Sequence, residues 1–356
     1  MSAWGNRAAP AIAVVGRLNP ANPAPHFATA LRERGWRVTE LDETEPYILG
    51  VQGLPAKLAQ RALTALGERE LNRSVLTLHG AIGFDAILVL KASWLRAATL
   101  RSLRARGAWL ANWFPDFDFS HSGFDEAVFA EYDAVITTKQ HQLDHLRTRY
   151  PKLALAHVEH GYCPLLHRPI PAPAPSFDAI YVGNTSAYKH QLLTAVAGRL
   201  PARRFAVAGA GWEARPLTPN ITVLGKRTGD EMAAALGQAK LALAFHMGPH
   251  GQFDWEDQVS ARSFEIPACG VPMLHIDNGE IARWYERDTE YLGFTDVEEL
   301  AGRIEQALGH EQLCARLAAA ALKRAVPAYS YVSRGHEIGS FIEKELSRKA
   351  GWQVHD

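Results

Sequence analysis

The sequence predicts an α/β protein made of two consecutive parallel-sheet units. Short apolar runs alternate with amphipathic segments along the chain, the signature of strands joined by crossover helices. The alternation halts at one proline-rich stretch and then restarts. A length of 356 residues suits two domains of ordinary size, each able to bury its own core.

The first unit begins with a strand over Ala11–Val15. A Pro- and Asn-rich loop leads to a helix over Phe27–Arg34, which Gly35 ends, as glycine does just past a helix C-terminus. Arg37–Leu41 reads as a strand and Pro55–Leu78 as a long helix. Further strands read at Ala86–Leu90, Trp109–Trp113, Ala134–Thr138 and Leu153–Val158. Prolines at 164, 169, 171, 173 and 175 then exclude a helix or a central strand and predict an extended linker. The second unit reads as strands at Asp178–Val182, Phe205–Ala208, Thr222–Leu224, Leu241–Phe245 and Pro272–Ile276. Its helices lie near Tyr188–Gly198, Gly229–Gly237, Ser260–Cys269, Val297–Leu308 and Gln312–Val326. An amphipathic helix over Tyr329–Leu346 follows the second sheet and needs a surface to cover. The expected domains are residues 1–168, residues 169–328, and a tail over 329–356 that returns to the first unit.

Composition excludes some functions. Lys plus Arg equals Asp plus Glu, 38 against 38, which gives no electrostatic footprint for nucleic acid. The three cysteines, Cys163, Cys269 and Cys314, are too scattered for a disulfide framework or a metal knuckle. No apolar run is long enough for a membrane span, and the N-terminus lacks the pattern of a signal peptide. A cytoplasmic protein is expected, with peripheral membrane contact left open.

Four segments after the proline stretch carry candidate chemistry. In Ser260–Leu274, SARSFEIPACGVPML, Arg262 and Ser263 lie where a helix begins, suited to a diphosphate, and Glu265 lies one turn in, suited to a ribose diol. The bland alternative is an ordinary i, i+3 ion pair between Arg262 and Glu265. In Asp178–His190, DAIYVGNTSAYKH, a strand ends in Gly183 and a polar loop enters a helix. Lys189 or Tyr188 there are placed to reach phosphates, unless this is a plain strand-to-helix turn. Gly209 and Gly211 in FAVAGAGW follow a strand, but Arg215-Pro216 stops a helix from following, so the dinucleotide fingerprint is not met. Gly225-Lys226 is the fourth loop.

These segments, in this order, resemble the CgeB-like branch of the GT-B glycosyltransferases, within the glycosyl transferases group 1 superfamily. The resemblance rests on YVGN at Tyr181–Asn184, GAGW at Gly209–Trp212, Gly225-Lys226 and, most specifically, RSFEIPACG at Arg262–Gly270. VEHGYCPLLHRP, at Val158–Pro169, is similar to the family's interdomain crossing. The resemblance implies two Rossmann-like lobes facing a cleft, with the tail helix returning to the first. It implies a nucleotide-sugar donor held by the second lobe, with Glu265 on the ribose and Arg262 and Ser263 near the diphosphate. Gly183 and Lys189 would border the phosphates, and Gly209, Gly211 and Lys226 the base. It implies no metal and no cofactor, because positive side chains stabilise the leaving diphosphate in this class. Asp116-Phe117-Asp118 is formally a D-x-D and reads as an acceptor-side loop with a metal alternative. Many retaining members carry a second Glu seven residues before the ribose-binding one; here that position is Gln258, so the anomeric outcome stays open.

A transferase that inverts needs a base for the acceptor hydroxyl. His26, Asp116 and His121 are the candidates, with His160, His246 and His250 behind them. His246, His250 and the DWED run also allow a metal reading, although no helix puts them at ligand spacing. Trp113 and Trp255 are candidates for stacking on sugar, against the commoner core role. The acceptor, whether glycan, lipid-linked or protein, is not legible. Two other readings stay open: a non-hydrolysing nucleotide-sugar epimerase, and an inactive GT-B domain used for binding or scaffolding.

Overall fold

A computed structural model describes residues 9–43, 53–91, 94–119, 125–170, 174–246, 248 and 255–350. The chain divides into two compact units, residues 1–159 with 331–356, and residues 160–330.

The first unit holds the strands β1 (Ala11–Gly16), β2 (Arg37–Asp42), β3 (Ala86–Leu90), β4 (Trp109–Phe114), β5 (Ala134–Thr137) and β6 (Ala154–His157). They form a parallel sheet in the order β2-β1-β3-β4-β5-β6. Every residue of β1, β3 and β4 is buried, which is why these strands read as continuous apolar runs. Between the strands lie α1 (Pro23–Glu33), α2 (Leu54–Ile82), α3 (Ala97–Ala105) and α4 (Gln140–Arg149). Pro23 starts α1 earlier than its apolar periodicity suggests, because its fixed φ suits the first helical position.

The last helix, α11 (Tyr331–Ala350), packs on α1. Gly335 makes this approach close: a Cβ there would lie 2.7 Å from the Ala30 Cβ and 3.0 Å from the Phe27 Cα. Glu343 of α11 accepts hydrogen bonds from Arg34 Nε at 2.9 Å and from Trp36 Nε1 at 3.0 Å.

The second unit holds β7 (Phe177–Val182), β8 (Phe205–Ala208), β9 (Ile221–Val223), β10 (Ala239–Ala244), β11 (Met273–Ile276) and β12 (Leu292–Phe294). Their order is β12-β11-β10-β7-β8-β9, again all parallel. The helices are α5 (Ala187–Arg199), α6 (Asp230–Gly237), α7 (Arg262–Ala268), α8 (Ile281–Trp284), α9 (Val297–Leu308) and α10 (Glu311–Ala325). Alternate residues of β7 serve opposite faces: Ile180 and Val182 join one core, Ala179 and Tyr181 the other. Residues 160–170 belong to this unit. Tyr162 N–H donates to the Tyr329 carbonyl at 3.1 Å, and Pro169 packs near Gly270. Part of the stretch expected to be linker, 171–173, lies outside the described residues. β12 and α8 escape the sequence reading because each is so short.

The second sheet runs from β7 outward through β8 to β9, then reverses and places β10 on the other side of β7. Such a reversal leaves a crevice at the carboxyl ends of the two central strands, here β7 and β10.

Candidate functional site

The carboxyl end of β7 is locked to that of β8. Gly183 N–H donates to the Ala208 carbonyl at 2.8 Å, and Thr185 N–H to the Ala210 carbonyl at 3.0 Å. Asn184 Oδ1 accepts from Ala210 N–H at 3.0 Å, and the Gly183 carbonyl accepts from Trp212 Nε1 at 2.9 Å. Gly209 has φ +156°, and a Cβ on it would lie 2.0 Å from the Gly183 carbonyl oxygen, so no side chain fits there. Gly209 N–H in turn donates to the Gly225 carbonyl at 2.9 Å, which brings the loop of exposed Lys226 alongside. Gly211 starts the 3-10 turn Trp212–Ala214. The glycine loops noticed in the sequence are therefore one assembly, tied by backbone hydrogen bonds.

α5 starts beside this assembly. Ser186 caps it, its hydroxyl accepting from Lys189 N–H at 3.3 Å. The Lys189 ammonium lies 3.5 Å from the Asn184 carbonyl and 6.0 Å from the centre of the Tyr181 ring. Burial lowers the Lys189 pKa; Asp257 acts against that and Arg262 adds to it. A desolvated ammonium next to a second cation favours an arriving anion.

Arg262 comes from α7. Its Nε donates to the Val182 carbonyl, at the end of β7, at 3.0 Å, and its guanidinium pairs with Glu265. Glu265 is buried, and His167 Nε2 lies 3.8 Å from its other oxygen. His167 is oriented by Cys163 N–H, which donates to its Nδ1 at 3.0 Å and leaves the proton on Nε2, facing the carboxylate. The Arg262–Glu265 ion pair weighed as the bland alternative is thus present, but in a buried position at a strand end.

Behind Arg262 lies a polar network that the sequence does not announce. His275 is fully buried, and burial pushes its pKa down to about 4, so the ring is neutral. The Ile276 carbonyl can only accept, so His275 Nδ1–H donates to it, and Nε2 accepts the Ser263 hydroxyl at 2.8 Å. The Ser260 hydroxyl accepts from Arg262 N–H at 3.3 Å and donates to His246 Nδ1 at 3.1 Å. His246 then carries its proton on Nε2, 3.0 Å from His275 Nε2. Ser263 is completely buried here, so it holds this network and faces no solvent.

His246 also borders an open pocket of about 80 Å³, with Tyr188, Asp257, Gln258 and Asn278 around it. The Gln258 backbone is pinned there, its carbonyl accepting from Asn278 Nδ2 at 2.9 Å. Sequence reasoning missed Asn184, Trp212, His167 and the role of His275. Of these, Asn184, Trp212 and His167 stood inside quoted motifs, without a role given to them; His275 lay in a strand run and carried no local signal.

The first-unit candidates sit in separate surroundings. His26 is buried and donates from Nε2 to the Pro20 carbonyl at 2.8 Å. Burial lowers its pKa, and Nδ1 is its proton-accepting nitrogen. Asp116 pairs with Lys91 at 2.7 Å, while Asp118 is buried, so the D-x-D carboxylates do not share one exposure. His121, His250 and Asp254 lie outside the described residues. Trp113 is core: it packs edge-on to Phe27 at 5.2 Å and donates to the Val158 carbonyl at 3.3 Å. Trp255 is half-buried.

Residues 189–340 match the family model described as glycosyl transferase-like. No curated protein matches the chain. Among solved structures, sucrose-phosphate synthase from Thermosynechococcus elongatus is similar over 95% of this chain and 100% of its own, with TM-score 0.65 and 15% identity. A glycosyltransferase from Rickettsia africae covers 97% of this chain and 100% of its own, with TM-score 0.63 and 13% identity. Anabaena HepE, solved with UDP and glucose, covers 94% of this chain and 99% of its own, with TM-score 0.60 and 15% identity. The fold is that of the GT-B glycosyltransferases, and no helix among the described residues is long and apolar enough to cross a membrane.

Proposed function

We propose that this protein transfers a sugar from a nucleoside-diphosphate donor to an acceptor, as a metal-independent glycosyltransferase of the CgeB-like kind. One observation carries the reading: Lys189, Arg262 and Glu265 converge at the end of β7, at the reversal of the strand order. Lys189 and Arg262 supply the positive charge that a leaving diphosphate needs, so neither cofactor nor metal is invoked. Glu265, held between Arg262 and His167, accepts hydrogen bonds from the ribose diol. Gly183, Gly209 and Gly211 keep the loops low enough for a nucleotide to lie on them, and Lys226 borders the base. Ser263 acts from behind, through His275 and the start of α7. The proton acceptor is proposed among His26, Asp116 and His121. Anabaena HepE, similar in fold and solved with UDP and glucose, supports the donor class by likeness of fold.

The test is a thermal-shift screen of nucleoside diphosphates and nucleotide sugars, followed by calorimetry on the best binder. Glu265→Ala should weaken that binder roughly 10- to 100-fold, the loss of about 1.5–3 kcal/mol for hydrogen bonds to a charged group. Unchanged affinity in the folded variant would sink the site. Epimerised donor with no acceptor present would replace transfer by epimerisation, and binding without turnover would leave a scaffold.

A further inference from the structure

One face of α2 differs from the surface around it. The C-terminal half of this helix packs on the first unit, with Leu71 and Val75 buried, while much of its N-terminal half is exposed. Leu58 and Leu66 are 56% and 57% exposed and sit two turns apart on one side. Arg69 and Arg73, both exposed, continue that side at helical spacing, and Lys57 and Arg61 edge it. The two carboxylates of the helix stand on the edges of this face: Glu68 lies beside Arg61 and turns to Arg96, and Glu70 lies beside Leu66, so four cations face a single carboxylate not turned to an arginine. Elsewhere, exposed arginines such as Arg101, Arg199 and Arg287 hold carboxylates. Among the described residues, no hydrogen bond or ion pair engages the side chains of Lys57, Arg61, Arg69 or Arg73.

We propose that this face of α2 docks on an anionic lipid surface, with Leu58 and Leu66 entering the headgroup boundary and the cations meeting lipid phosphates. The charge pattern selects an anionic partner, and the two bare leucines select one that also offers an apolar layer. A nucleic acid supplies the first and not the second. The inference concerns a face of the first unit and stands whatever reaction the second unit supports.

The experiment is co-sedimentation of the full chain with phosphatidylcholine vesicles, with and without about one-quarter phosphatidylglycerol. Binding to the anionic vesicles alone, weakened by salt, is expected. The double variant Arg69→Gln/Arg73→Gln should lower partitioning about 30-fold, roughly fivefold per arginine. Leu58→Ser/Leu66→Ser should lower it at unchanged charge. All four positions are exposed, so melting temperatures should hold and confirm folding. Absence of binding, equal binding to neutral vesicles, or a serine variant that binds like the parent would overturn the proposal. Retention of parent and serine variant alike on polyglutamate would instead mark a docking face for an acidic protein.

Discussion

Gly209→Ala is the sharpest perturbation of the glycine assembly at the end of β7. The added methyl would begin 2.0 Å from the Gly183 carbonyl oxygen and 2.4 Å from its carbon. Both are backbone atoms, and Trp212 Nε1 and Ala208 hold that residue in place, so no side chain can swing aside. The backbone at φ +156° adds strain of about 1–3 kcal/mol for a residue with a Cβ. Overpacking adds about 1–3 kcal/mol more. A loss near 4 kcal/mol is a large part of the ~5–15 kcal/mol that holds a domain together. It should lower the melting temperature of the second unit by roughly 10 °C. The assay is thermal unfolding by circular dichroism with Gly198→Ala as control, since a Cβ at Gly198 meets nothing within 4 Å. Gly198→Ala should leave melting unchanged or slightly raised, because alanine favours a helix. If the two variants melted alike, the tight apposition of the β7 and β8 loops would be wrong, and with it the argument that these glycines form one floor.

Two further perturbations follow from buried charges and rings. Glu343→Ala removes the carboxylate that Arg34 and Trp36 both contact, leaving a half-buried guanidinium and an indole N–H without it; about 2–4 kcal/mol should be lost, read as a lower urea midpoint. His275 has a folded-state pKa near 4 against an ordinary value of 6.5, so between those limits the unfolded chain binds the extra proton. Its contribution is therefore complete above about pH 6.5 and is lost as pH falls toward 4, on the order of 3 kcal/mol in all. His26 is shifted in the same direction by burial and adds to the slope. Urea midpoints at pH 7.5 and pH 5 should differ accordingly, and His275→Gln should flatten the difference; an equally steep profile in that variant would assign the slope to other groups.

Much of the fold was legible because parallel strands buried on both faces carry continuous apolar runs, as AILVL and WLANWF do in β3 and β4. β12 was not, since Leu292-Gly293-Phe294 is three residues long and interrupted by glycine. Within the site, Arg262 and Glu265 were readable as a pair one helical turn apart, and Gly183, Gly209 and Lys189 as strand-end residues. The Ser260–His246–His275–Ser263 network was not readable, because His246 and His275 follow or sit on different strands and meet only through the β10–β11 pairing. Ser263, expected near a diphosphate, belongs to that network for the same reason. His167 was hidden in a proline-rich run that suggested a linker, whereas its ring lies against Glu265.

A crystal structure of the chain soaked with its best-bound nucleoside diphosphate would probe the donor assignment at atomic level. The phosphates should lie within hydrogen-bonding reach of Lys189 and Arg262, with the ribose hydroxyls on the Glu265 carboxylate. A nucleotide bound elsewhere, with Glu265 still closed on Arg262 and His167, would contradict the account.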